Sequence, residues 1–167
     1  MRYLKLFENF EGSDRLIFEA ALLLKLEDSA KAEVQSLFNG EEGLFPLAPD
    51  KLHVTLTSIK ASKAFKDVLK SSLPTDIPAP AVQLGEVTIA NREATESAPA
   101  KTSFVVAVAN QEELKAYVDQ VYQSMGLENP EPDRYFHITI ANNVENKKFP
   151  NTADSFGSIG DITKQDF

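Results

Sequence analysis

Two short segments of the sequence repeat one pattern, a histidine and a threonine two positions apart among alternating apolar residues. They read KLHVTLTSI and RYFHITIAN, and their histidines, the only two in the chain, lie 84 positions apart. Alternation rich in β-branched residues predicts a β-strand in each segment. Residues i and i+2 share a face of a strand, so His53 and Thr55 should point the same way, away from a core formed by their aliphatic neighbours. The same holds for His137 and Thr139.

Hydrophobic periodicity and capping residues predict short strands and helices along the rest of the chain. The expected strands cover the first part of 15–26, then 51–59, 81–90, 102–109 and 134–142. The expected helices run from Asp28 or Ser29 to Phe38, from 63 to 71 after a Ser62 cap, and from an Asn110–Glu113 capping box to Met125 and Gly126. This order of elements indicates an α+β fold with mainly antiparallel sheet and outer helices.

The second half of the chain loosely echoes the first. Each half leads through a capped helix and a proline-bearing loop to an H-x-T strand, which favours an internal duplication. The segment 73–80, with three prolines, is the best linker and separates the halves. At 167 residues the chain suits one domain of ordinary size.

Composition narrows the classes of function. The chain has no cysteine, which excludes disulfide frameworks, thiolate zinc sites and cysteine nucleophiles and fits a reducing, cytoplasmic location. Its formal net charge of −8 opposes binding to duplex DNA but allows a small anionic ligand held by a few cations. No apolar run approaches the roughly 18 residues of a membrane span, so no membrane partner is expected. The acidic start of the chain does not resemble a secretory signal.

If the two histidine strands are neighbours across a cleft, their two imidazoles and two threonine hydroxyls come together at one site. Imidazoles with pKa values near 6.5 can divide acid–base work, one neutral as base and the other protonated as acid. Threonine hydroxyls can donate to phosphate oxygens, so this grouping suits metal-free cleavage of a phosphodiester. A metal site and ordinary strand packing are the alternatives, although a metal needs a third ligand and neither strand has an adjacent carboxylate.

The sequence resembles the 2H phosphoesterase superfamily, whose members carry two H-x-[TS]-x motifs on the central strands of a duplicated, bilobal fold with a central cleft. RLIFEAALL is similar to the first strand of the family and DKLHVTL to its first motif. TSFVVAVANQEELKAYVDQVYQSMGL, followed by RYFHITIAN, is similar to its final strand, helix and second motif. The resemblance implies a leader over 1–14, one domain over 15–150 with intertwined lobes at about 15–73 and 81–150, and a tail over 151–167.

The resemblance also implies the roles of the motif residues. His53 and His137 would be the catalytic pair, Thr55 and Thr139 would hold the phosphate, and no metal or other cofactor would be needed. One histidine would deprotonate a ribose 2′-hydroxyl or a water, and the other would protonate the leaving oxygen. The sequence does not determine which histidine plays which role.

Further substrate-binding residues are expected beside the motifs. Tyr135 is two positions from His137, so strand alternation predicts that it lies on the same cleft face, where it could stack on a base or bond a phosphate. Binding of a negatively charged phosphate also requires cationic side chains. Those nearest to the motifs are Lys51, Lys60, Lys101 and Arg134.

Known activities of the superfamily define the expected substrates. They include destruction of the cyclic oligonucleotide messengers of CBASS antiviral defence, and cleavage of RNA 2′,3′-cyclic phosphates and 2′,5′-oligoadenylate. A small, acidic chain favours a small nucleotide over long RNA, so we expect cleavage of 3′–5′ bonds in cyclic di- or trinucleotides, as in the phage anti-CBASS enzymes. A short RNA end or 2′,5′-oligoadenylate is the alternative substrate. A non-catalytic cyclic-nucleotide-binding or virion protein is the alternative class, although a pure binder has no need of paired imidazoles.

Overall fold

The computed structural model describes residues 14–155, 157, 159 and 162–167. The expected leader over 1–14 therefore lies outside the described residues, except for Asp14. The strands are β1 Leu16–Glu19, β2 Ala21–Lys25, β3 Phe45–Pro46, β4 His53–Thr57, β5 Leu84–Arg92, β6 Lys101–Val108 and β7 His137–Asn142. The α-helices are α1 Asp28–Ser36, α2 Ile59–Ser62, α3 Lys66–Ser71 and α4 Gln111–Ser124, with 3₁₀ turns at Pro49–Lys51, Lys63–Phe65 and Lys164–Asp166.

The strands form one seven-stranded sheet with antiparallel pairings, which confirms the expected α+β class. Its order is β1-β2-β4-β7-β6-β5, and the short β3 also pairs with β7. The two histidine strands are therefore central neighbours, and they meet where Val54 pairs with Ile138. These two residues hold equivalent places in the two motifs. An antiparallel pairing of equivalent residues sets a local twofold axis between them.

The segment 15–26 holds two strands, where the sequence predicts one in its first part. Glu19 pairs with Ala21, and the chain reverses at Ala20, whose φ is 64°. Positive φ is uncommon for a residue with a Cβ, and no glycine or asparagine marks the turn, so the apolar run conceals the hairpin. With this hairpin, and apart from the short β3, both halves of the chain contain the order strand, strand, helix, strand, and α2 and α3 follow it in the first half.

The helices α1, α3 and α4 pack on one face of the sheet, and the histidines lie on the other. Alternate strand residues join α1, α3 and α4 in one apolar core, whose fully buried members include Leu22, Leu24, Val34, Val54, Leu56, Leu69, Val106, Leu114, Val118 and Ile138. Burying each such side chain stabilises the fold by about 1.5–3 kcal/mol. A shift of a strand by one residue would expose its whole core set, so burial fixes which side chains reach the opposite face.

The starts of two helices differ from the predicted caps. Ser58, rather than Ser62, caps the helical segment after β4, because its Oγ accepts a hydrogen bond from the Ala61 N–H at 3.1 Å. Asn110 is the N-cap of α4, as predicted, but its side chain makes no bond to the helix backbone. Its Oδ1 accepts from the Gln83 N–H at 2.9 Å, and its Nδ2 donates to the Glu113 carboxylate at 2.6 Å. The predicted Ser62 cap is therefore wrong, whereas the Asn110 cap is right in position but lacks the bonds of a capping box.

Candidate active site

A cavity of about 810 Å³ opens on the sheet face opposite α1, α3 and α4, and the short α2 contributes to its lining. All four motif side chains line it: His53, Thr55, His137 and Thr139. The aliphatic residues between them are fully buried on the core side. A register that pairs residue 54 with 138 also sets His53 across from Thr139 and Thr55 across from His137. The fold thus brings the two H-x-T motifs together on one wall.

His53 begins β4 and is held by the backbone just before it. Its Nδ1 lies 2.8 Å from the Lys51 carbonyl oxygen, which can only accept, so Nδ1 carries a proton and Nε2 is the basic nitrogen of the neutral ring. Burial lowers the pKa of His53 below its ordinary value, against smaller raising effects from the Lys51 hydrogen bond and the Glu19 carboxylate. The ring is therefore mainly neutral at pH 7, with Nε2 as a proton acceptor.

His137 begins β7 and is only 8% exposed. The residue before it is clamped by Gln111 at the start of α4. The Gln111 side-chain amide accepts from the Phe136 N–H at 2.9 Å and donates to the Phe136 carbonyl oxygen at 2.8 Å. Two bonds from a helix fix the backbone where β7 begins, and with it the direction in which His137 points. No motif in the sequence marks Gln111 for this role.

The Asp166 carboxylate, in the last 3₁₀ turn, interacts electrostatically with His137. The Arg92 guanidinium donates to Asp166 and, with the Thr163 N–H, holds the pKa of this carboxyl below its ordinary value against the opposing effect of burial. The positive charge of His137 acts in the same direction. The Glu19 carboxylate acts on His53 in the corresponding way and raises the pKa of that ring. Each histidine therefore has a carboxylate in its electrostatic surroundings.

Four cationic side chains line the same cavity: Lys25, Lys51, Lys60 and Arg134. The sequence predicts the last three. Lys25 is missed because it ends β2, the second strand of the unexpected hairpin. It pairs with His53 across β2 and β4, so the two side chains share the cavity face. The one feature of the sequence that could have pointed to Lys25 is its position directly after a run of leucines.

Arg134 also braces the site. Its Nε donates to the Thr55 carbonyl oxygen at 2.9 Å, and its Nη1 lies 3.6 Å from Oε1 of Glu131. Glu131 in turn accepts from the N–H and the hydroxyl of Ser58 at 2.6 and 3.0 Å. These bonds fix the loop before β7 to β4, so polar contacts as well as the apolar core hold the histidine strands together.

Tyr135 does not line the cavity with His137. Because β7 begins at His137, the strand alternation that places Tyr135 on the cleft face does not extend to it. Its ring lies 5.9 Å from the ring of Phe167, and it lines a separate cavity of about 490 Å³. Tyr135 and His137 therefore line different cavities. Lys101, at the start of β6, also lies outside the lining of the larger cavity.

The rest of the lining is mixed in character. Ile17, Leu23 and Ile59 present apolar surface, and Ile59 is 61% exposed at the rim. Glu19, Asp50 and Glu131 add carboxylates. Apolar surface beside several cations suits a ligand that combines a flat apolar part with an anionic part.

No group of three or more His, Asp or Glu side chains within the described residues is arranged to hold a metal ion. In the same part of the chain, no helix has both the length and the apolar character needed to cross a membrane. Comparisons with protein-family models, with curated proteins and with solved structures found no match to this chain. The functional argument therefore rests on the residues of the site and on their motifs.

Proposed function

We propose that this chain is a cytoplasmic, metal-independent phosphodiesterase that cleaves the 3′–5′ bonds of cyclic oligonucleotides. One observation carries the proposal: both H-x-T motifs line a single cavity, with equivalent residues paired across a local twofold axis. Two imidazoles and two hydroxyls on one wall supply a base, an acid and two anion donors. The resemblance of the motifs to those of the 2H phosphoesterases points to the same reaction.

The proposal extends to the fold, as a duplicated domain with two lobes. Apart from the short β3, each half contains the order strand, strand, helix, strand, and the order β1-β2-β4 is followed across the axis by β7-β6-β5. The pairing of Leu23 with Thr55 has its counterpart in the pairing of Val105 with Thr139. Duplication of one ancestral half would produce this correspondence.

His53 is the general base in this proposal. Its Nε2 is unprotonated in the neutral ring, and burial keeps the ring neutral near pH 7. Nε2 takes the proton of the attacking oxygen, from a ribose 2′-hydroxyl or a water, as the new bond from oxygen to phosphorus forms. Lys25, across from His53, and Thr55, beside it, stabilise charge on the non-bridging oxygens.

His137 is the general acid. The base role of His53 leaves the second imidazole of the same cavity to donate a proton, and two hydrogen bonds from Gln111 to the preceding residue direct its ring. The imidazolium gives its proton to the leaving ribose oxygen as the old bond to phosphorus breaks. One proton is taken by His53 and one is given by His137, so the step balances. Thr139 donates to the same phosphate.

Size and charge support a small nucleotide as substrate. A volume of about 810 Å³ lies within the range of small-molecule sites, roughly 300–1,000 Å³. The chain as a whole carries −8, so a long nucleic acid is repelled. The lining of the cavity has four cations against three carboxylates, a small local excess of positive charge that favours a phosphate.

A panel of nucleotides in excess EDTA tests the proposal. The chain is incubated with cyclic dinucleotides, cyclic trinucleotides, 2′,5′-oligoadenylate and RNA ending in a 2′,3′-cyclic phosphate, and the products are separated by chromatography. We expect a cyclic oligonucleotide to be lost and a linear, phosphate-bearing product to form. Lys25→Ala should raise KM several-fold, whereas Lys63→Ala, an exposed lysine outside the cavity lining, should not.

The other outcomes separate the alternatives. Cleavage of 2′,5′-oligoadenylate or of the RNA end alone would change the substrate and keep the mechanism. Ligand that is retained and then returned intact on denaturation would make the chain a binding protein. Activity that disappears in EDTA and returns with a divalent ion would overturn the two-histidine mechanism.

A further inference from the structure

The segment 162–167 covers β5 and β6 on the cavity side of the sheet. The local twofold axis relates these strands to β1 and β2, which form the open wall of the cavity. Ile162 is buried in a small apolar cluster with residues of β5 and β6, and Phe167 packs against the same cluster. One member of the cluster, Val105, pairs directly with Thr139, so the two side chains share a face of the sheet. The segment therefore lies on the cavity side, next to a motif residue.

Several contacts hold this segment in place. Arg92 on β5 reaches both carboxylate oxygens of Asp166 at 3.2 Å. Thr163 and Asp166 form a capping box, each side chain bonding to the backbone of the other. The ring of Phe167 lies against Tyr135 at 5.9 Å. A two-point ion pair combined with apolar burial orders a segment more strongly than an isolated surface ion pair does.

The first half of the sheet has no matching cover among the described residues. Leu23 holds the place in β2 that Val105 holds in β6, since Leu23 pairs with Thr55 as Val105 pairs with Thr139. Leu23 lines the cavity, whereas Val105 is 0% exposed in its cluster with Ile162. Within the described part of the chain, the sheet thus offers a ligand the wall that contains Leu23 and not the wall that contains Val105.

We propose that the segment 162–167 determines specificity by blocking the second wall, so that the site accepts a compact cyclic oligonucleotide and rejects an extended linear one. The inference rests on the proposed function. In an extended strand, the nucleosides on the two sides of the cleaved phosphate run toward opposite walls. A small macrocycle folds back on itself and can keep its nucleosides over the single open wall. Ile162 and Phe167 are the apolar side chains that occupy the other.

Deletion of residues 162–167 tests this role. The measured quantity is the ratio of kcat/KM for linear hexaadenylate to kcat/KM for cyclic diadenylate or cyclic triadenylate, in EDTA. We expect the deletion to raise this ratio about tenfold or more, because it removes a steric block to the linear substrate alone. General damage to the fold would lower cleavage of both substrates, and the ratio is insensitive to that.

Ile162→Asp releases the segment without shortening the chain. A carboxylate in place of a side chain that is 4% exposed should detach the segment and speed its amide hydrogen exchange. The ratio should rise as in the deletion. Gln165→Asp adds the same charge at an exposed position of the same segment and should leave the ratio unchanged.

The outcomes distinguish this inference from the function on which it rests. A ratio that stays within about twofold of the wild-type value in both variants, with the segment detached, would overturn the specificity role and leave the proposed function standing. A wild-type chain that cleaves neither cyclic substrate would overturn both.

Discussion

His53 and His137 occupy the same place in two like motifs, but the groups around them differ. His53 donates from Nδ1 to the Lys51 carbonyl and is driven toward its neutral form by burial. His137 follows a residue whose backbone is held by two Gln111 hydrogen bonds, and it interacts electrostatically with Asp166. A general base and a general acid must hold opposite protonation states at one pH, and burial of His53 favours the neutral ring that the base needs.

The lowered pKa of His53 predicts the acidic limb of the pH–rate profile. As pH falls, kcat/KM should drop with a midpoint below about 6.5, because protonation of His53 costs more in the site than in a free side chain. By linkage, the stability that depends on neutral His53 is complete above about pH 6.5 and is lost as pH falls toward the lowered pKa. Rates on a cyclic dinucleotide in EDTA, from about pH 4.5 to 9, measure the limb. A midpoint above the ordinary histidine value would contradict His53 as the base.

A Gln111 variant tests whether a residue away from the reacting atoms positions His137. Gln111→Ala removes both bonds to the Phe136 backbone, so kcat should fall about tenfold while KM changes little, since His137 would lose its fixed direction. Steady-state kinetics give the split between kcat and KM. Gln120→Ala, an exposed position on the same helix, is the matched control and should leave both constants unchanged. A larger change in KM than in kcat would assign Gln111 to binding instead.

At the scale of elements, the β1–β2 hairpin depends on a turn that strains its central residue. Ala20→Gly should stabilise the chain by about 0.5–1 kcal/mol, because glycine adopts the φ of 64° without the cost of a Cβ. Ala116→Gly, on the exposed face of α4, should instead destabilise it by about 1 kcal/mol. Urea unfolding of the two variants compares the signs. Destabilisation by both glycines would mean that Ala20 does not hold the left-handed conformation in solution.

The elements that sequence alone predicts are those with regular alternation or helical periodicity. The strands β4, β6 and β7 and the helix α4 belong to this group, because burial of one face dictates their pattern. The hairpin turn at Ala20 contains none of the residue types that usually mark a turn, so the surrounding sequence does not predict it. The start of β7 depends on Gln111, whose side chain takes the Phe136 N–H that a neighbouring strand would otherwise receive. Boundaries of this kind are set by distant side chains.

At the scale of the whole molecule, the fold gathers cations into one cavity of an acidic chain. The alternation of side chains along a strand depends only on neighbouring residues, so the sequence alone predicts that the four motif residues and three of the cations belong to the site. The packing of Tyr135 against Phe167, and of Asp166 near His137, joins parts of the chain that no local pattern relates. The same long-range packing leaves one wall of the cavity open and covers the other. The asymmetry of the site is therefore a property of the complete sheet.

Turnover by four proteins tests the central claim most directly: the wild type, His53→Ala, His137→Ala and the double variant, on one cyclic dinucleotide in EDTA. Each single change should lower kcat by about 10²–10⁴, the usual contribution of one positioned acid or base. The double variant should be little slower than the worse single variant, because both side chains act on one transition state. Thermal unfolding checks that each fold is intact. A folded single variant that keeps activity within a few-fold of wild type would contradict the claim that both motifs act on the same phosphodiester.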